Sequence, residues 1–79
     1  MKATVLVRPK KGILDPQGQA VETALEHLGF SVAGTRVGKV IDLDVDAVDT
    51  DDARAQVERM CEQLLANTLM ESYEVEIHG

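Results

Sequence analysis

The chain has 79 residues, eight basic and fourteen acidic, for a formal charge of −6. A chain this short leaves roughly a third of its unfolded surface wet, and small scaffolds make up the deficit with disulfides, a metal or oligomerisation; one cysteine, Cys61, and two histidines, His27 and His78, leave oligomerisation. The negative charge works against nucleic acid and anionic membranes, and Phe30 and Tyr73, the only aromatics, offer little for base stacking.

From Lys2 to Arg8 the residues alternate, with Ala3, Val5 and Val7 against Thr4, Leu6 and Arg8, and Pro9 follows with no N–H to offer a ladder. This predicts a first strand, and its two fairly apolar faces place it inside a sheet. Next comes "GILDPQGQAVETALEHLGF", Gly12 to Phe30. Asp15 is suited to accept an N–H of a first helical turn and Pro16 to preset its φ. Ala20, Val21, Ala24, Leu25 and Leu28 then form one apolar stripe, with Gly29 placed as the left-handed cap.

Val32, Gly34 and Val37, then Ile41, Leu43 and Val45, predict two strands joined tightly near Gly38-Lys39. The second strand is two-faced, with Asp42, Asp44 and Asp46 opposite the aliphatics. Asp49 or Thr50 caps a second helix, in which Ala53, Val57, Met60, Cys61, Leu64 and Leu65 recur at helical spacing and Asn67 marks the end. Tyr73, Val75 and Ile77 alternate with Ser72, Glu74 and Glu76 in a last strand. The order βαββαβ predicts an α+β, ferredoxin-like domain over 1–79: a four-stranded antiparallel sheet, two helices on one face, and sheet-to-sheet or edge-to-edge self-association. No leader and no apolar run of the ~18 residues a membrane span needs is present, so a cytoplasmic protein is expected.

Little in the chain offers chemistry. Asp42, Asp44 and Asp46 begin like a calcium loop, but Ala47 stands where Gly is required and Ala53 where a bidentate Glu is required, so they read as the wet face of a strand. Cys61 lies on an apolar stripe with no cation aimed at it, which describes a buried thiol rather than a nucleophile. His27 complements the end of the first helix, and neither histidine has a Ser, Cys or carboxylate pattern around it. Arg8, Lys10 and Lys11 precede a helix N-terminus, yet Asp15 takes up its N–H groups. Arg36 and Lys39, flanking Gly38, make a basic corner of the kind that faces a partner.

Three stretches, "GILDPQGQAVETALEHLGF", "RVGKVIDLDV" and "MCEQLLANTLMESYEVEI", together resemble the PurS family, the small subunit of phosphoribosylformylglycinamidine synthase. The resemblance runs in order over nearly the whole chain. It implies a self-associating dimer or tetramer with no catalytic, cofactor or metal residues of its own. This subunit would join a glutaminase subunit (PurQ) to a synthetase subunit (PurL), where ATP and magnesium act, and assist ammonia transfer between them. The joint ligase converts formylglycinamide ribonucleotide, glutamine and ATP to formylglycinamidine ribonucleotide, glutamate, ADP and phosphate in purine biosynthesis. Carried over by position, the interface candidates are Leu14, Asp15, Pro16, Gln17 and Gly18; Arg36, Gly38 and Lys39; and Leu65, Ala66 and Asn67.

Two departures from the family pattern bear on local geometry: Thr68 stands where Pro is common, implying a looser turn, and Pro9 implies a shortened first ladder. The alternative reading is an ACT-like regulatory module binding a small molecule at a dimer interface, for which only Gly12 of the required glycine-lined turn is present. A small phosphatase on the same scaffold fits less well, since no Asn precedes Asn67 to orient water.

Overall fold

The computed structural model describes residues 1–78. Its elements are β1 (Lys2–Pro9), α1 (Pro16–His27), β2 (Lys39–Asp44), α2 (Thr50–Met60) with a π-helical extension (Cys61–Leu65), and β3 (Glu71–His78). Among these residues the sheet has three antiparallel strands in the order β2-β1-β3. The expected interior position of β1 holds: Val5 stands opposite Ile41 on one side and Val75 on the other.

Alternation decides which face is dry. Ala3, Val5 and Val7 are buried, flanked by half-buried Ile41 and Leu43 on β2 and Tyr73, Val75 and Ile77 on β3, and α2 closes this layer with Ala53, Val57 and Cys61. The opposite face is polar. Thr4 Oγ1 donates to Asp42 Oδ1 at 2.8 Å and lies 3.1 Å from His78 Nε2, while Arg8 Nη1 reaches Glu74 Oε1 at 3.4 Å. Only the cross-strand pair Leu6 and Val40 is aliphatic there. That wet face removes the reason for expecting two sheets to stack.

The four-stranded prediction is corrected: residues 32–37 lie outside the sheet, and no hairpin forms at Gly38-Lys39. The donors such a strand would need are already taken. Asp15 Oδ2 accepts from Val37 N–H at 2.7 Å, and Glu22 Oε1 accepts from both the N–H and the hydroxyl of Thr35 at 3.3 and 3.2 Å. Gly34 adopts φ +69°, which breaks an extended run. Gly18 lets this segment lie close, because a Cβ there would run into the Thr35 carbonyl oxygen.

The segment therefore follows α1 instead of β1, and α1 makes no substantial contact with the strands or with α2. The two-helix layer expected on one face is half present. Gly18 is the only buried residue of α1, while Val21, Leu28 and the following Phe30 are exposed. Helix and return segment form an arm extending from the sheet, and the molecule measures 50 × 24 × 14 Å. Its radius of gyration is 15.7 Å, against about 12 Å for a compact chain of this length.

Local signals set the helix ends. Asp15 Oδ1 caps α1 by accepting from Gly18 N–H at 3.1 Å. At the other end Gly29 N–H bonds Glu26 O and Phe30 N–H bonds Leu25 O, with Gly29 at φ +96°, the paired closure that a left-handed glycine permits. Asp49 caps α2, accepting from Asp52 N–H at 2.7 Å, and Asp52 accepts in return from Val48 N–H. Past Met60 the spacing widens to i→i+5, as in the bond from Ala66 N–H to Cys61 O. The wider turn rotates Leu64 out to 82% exposure, so it is not the core residue that helical spacing predicted; Leu65 is half-buried and Ala66 buried.

Candidate functional site

The three groups of interface candidates lie far apart in sequence but converge at one end of the sheet, around Pro9. Pro9 ends β1 without shortening the ladder to β3, which runs to the pair Pro9 and Glu71; the ladder to β2 stops at Val7 and Lys39. Beyond it Lys10 N–H donates to Met70 O at 2.9 Å, holding the loop after β1 against the loop before β3.

Two recesses flank Pro9. In one, Leu14, Asp15 and Gln17 of the helix entry share the lining with Val37, Asn67, Met70 and Glu71. The other is lined by Arg8, Arg36 and Lys39 together with Leu6, Val40 and Gly38. Arg36 is anchored by a bond from Nη1 to Pro9 O at 3.1 Å. Gly38 is required by proximity, because a Cβ there would run into the Val7 carbonyl oxygen.

The candidates differ in what they can offer a partner. Leu14 is 71% exposed, and Pro16, Gln17, Arg36, Gly38, Lys39 and Asn67 are also exposed. Gly18 and Ala66 are buried and Asp15 and Leu65 half-buried, so these four hold the surface in place more than they form it. Asn67 organises its turn: its carbonyl accepts from Met70 and Glu71 N–H, its Oδ1 from Leu69 N–H at 3.2 Å, and its own N–H donates to Glu71 Oε1 at 2.8 Å. The loose turn expected from Thr68 is instead well tied.

Electrostatics supports a structural reading of Asp15 and Cys61. The N–H groups of Val37 and Gly18, in that order of effect, hold the Asp15 carboxyl below the usual carboxylate range. Burial first, then the nearby carboxylates of Glu62 and Glu58, push the Cys61 thiol up, the opposite of what a thiolate nucleophile requires. Burial and Glu62 likewise raise the Tyr73 phenol. Among the described residues no group of three or more His, Cys, Asp or Glu is placed to hold a metal ion, and no helix is long and apolar enough to cross a membrane.

Sequence reasoning missed Glu22, Thr35 and Val37, which fasten the arm, and Met70, which joins the two loops. Glu22 looked like any solvent-facing helical carboxylate. The one legible signal was Asp15, whose second oxygen is free once the cap is made.

A family profile for PurS, described as phosphoribosylformylglycinamidine (FGAM) synthase, matches residues 2–79. The chain belongs to the PurS family. It is 38% identical over 77 residues to the synthase subunit PurS of Methanocaldococcus jannaschii, covering 96% of this chain and 93% of that one. The solved structure of Bacillus subtilis PurS superposes with a TM-score of 0.87 at 40% identity, over 99% of this chain and 98% of that one. A chain in the structure of PurLQS from Thermotoga maritima matches with a TM-score of 0.86 at 37% identity, over 95% and 93% of the two chains. Matches this complete include the arm, so its extended placement is shared with solved PurS-family structures.

Proposed function

We propose that the chain is the small, non-catalytic subunit of phosphoribosylformylglycinamidine synthase, a glutamine-using, ATP-dependent carbon–nitrogen ligase of purine biosynthesis, acting in the cytoplasm as a single domain. It bridges a glutaminase subunit, PurQ, and a synthetase subunit, PurL, and assists ammonia transfer between them; ATP and magnesium act on the synthetase. The observation that carries this reading is the near end-to-end match, arm included, to a chain of the PurLQS structure.

Self-association is part of the proposal. Among the described residues the apolar stripe of α1 has little cover, only Leu25 being half-buried, and α2 packs chiefly toward β3, with Ile41 and Leu43 on β2 staying half-buried. A second copy supplies what each lacks, as a dimer or within a tetramer. The exposed candidates Leu14, Pro16, Gln17, Arg36, Gly38, Lys39 and Asn67 form the docking surface at the sheet end, and Asp15, Gly18, Leu65 and Ala66 hold it in place.

The test is synthesis of formylglycinamidine ribonucleotide by purified synthetase and glutaminase, with and without this chain, using glutamine or free ammonia as nitrogen source. Glutamine is expected to support synthesis only with the chain present, and ammonia without it. Equal glutamine-dependent rates in both mixtures refute the coupling role.

A further inference from the structure

Five of the eight basic residues, Arg8, Lys10, Lys11, Arg36 and Lys39, lie at the Pro9 end of the molecule; the others are Lys2, Arg54 and Arg59. Asp15, Glu71 and Glu74 share that end, whereas the longest acidic run begins at the opposite end of β2. The register pairs Lys39 with Val7 and Asp44 with Lys2, so the two ends of β2 are about 17 Å apart, and Asp46, Asp49, Asp51 and Asp52 follow beyond Asp44. Despite fourteen acidic residues, the only carboxylate paired with any of the five cations among the described residues is Glu74, 3.4 Å from Arg8. Arg36 is held by a neutral carbonyl.

Arg8, Arg36 and Lys39 line a recess of about 420 Å³ together with Leu6 and Val40. The last two are the aliphatic pair on the otherwise polar sheet face, and Val40 is 63% exposed. Building on the proposed role, we infer that this recess docks a segment of a partner subunit that presents an aliphatic side chain flanked by carboxylates. An apolar centre with a charged rim is the usual anatomy of a protein interface, and complementary charge sets its on-rate and its register. A phosphate would want cations or N–H groups free to converge on one point, whereas Arg36 is bonded to the Pro9 carbonyl, Arg8 reaches Glu74, and an aliphatic pair shares the lining.

A second copy of this chain is a poor occupant. Symmetric contact through the recess brings like charges together, and contact between the basic end of one copy and the acidic end of the next is head-to-tail, which builds rings or filaments.

The inference is tested by measuring binding of the wild-type chain, R36E/K39E, V40S and the control R59E to purified glutaminase and synthetase subunits at low and high salt. R36E/K39E is expected to weaken binding to one subunit by about tenfold or more and to flatten its salt dependence. V40S is expected to weaken it without changing the salt dependence, and R59E to leave it unchanged. If the wild-type chain binds neither subunit, the functional reading fails and the inference with it. If it binds and R36E/K39E binds equally well, the inference alone fails. Should R36E/K39E not fold, amide hydrogen exchange of the wild-type chain decides: protection of residues 34–40 on adding a subunit supports the inference, and its absence overturns it. Saturable protection by inorganic phosphate alone overturns it in favour of a small anion, and salt-sensitive polymerisation of the pure chain overturns it in favour of a second copy.

Discussion

At the scale of single residues, Asp15 does two jobs with two oxygens, capping α1 through Gly18 and fastening the return segment through Val37. Both bonds favour the carboxylate, so the folded chain holds this group below its unfolded value. The unfolded chain consequently binds the proton more readily. The contribution of Asp15 is complete above about pH 4 and is lost as pH falls through the folded-state value. In a thermal-unfolding series against pH, D15N is expected to lower the midpoint at neutral pH and to narrow the gap to wild type in acid; parallel curves would remove Asp15 as the source. Cys61 gives the converse case. It is fully buried with its thiol pushed up, so a thiol-alkylating reagent at neutral pH should modify the folded chain no faster than the chain opens; rapid stoichiometric labelling would contradict the burial.

At the scale of elements, the π-helical extension separates two side chains that the sequence makes equivalent. Val57 is fully buried beneath the sheet, whereas Leu64 faces water. V57A is expected to cost about 2 kcal/mol through lost burial and a residual cavity, and L64S to stay within about 0.5 kcal/mol, both read from denaturant unfolding; equal losses would place Leu64 in the core. This contrast also marks what the sequence makes legible. The strands β1, β2 and β3, the caps at Asp15, Asp49 and Gly29, and the central place of β1 follow from alternation and local hydrogen-bonding chemistry. The fate of residues 32–37 does not, because their alternation suits a strand equally well. What diverts them is a set of side-chain acceptors up to 22 residues away, which no local pattern encodes. The interface candidates were legible as separate motifs, but their meeting around Pro9 depends on the register of β1 with β3 and on the path of the arm.

At the scale of the whole molecule, the extended shape bears on the proposed self-association. The arm stands off the sheet with Val21, Leu28 and Phe30 exposed, an apolar surface that fits the proposed self-association. Sedimentation or size measurement at micromolar concentration is expected to show a dimer or larger, with a thermal midpoint that rises with protein concentration; a monomer with a concentration-independent midpoint would contradict self-association. The central position of β1 also bears on how the chain comes together in time. Its ladder partners are Lys39–Asp44 and Glu71–His78, so the first strand made waits for the last before the sheet closes. Helix α1 can form from local signals in the interval, whereas Ala3, Val5 and Val7 stay uncovered until β3 and α2 arrive. Loop closure over that span slows folding, and a growing chain would carry this aliphatic strand in need of shelter until residue 78 had been added.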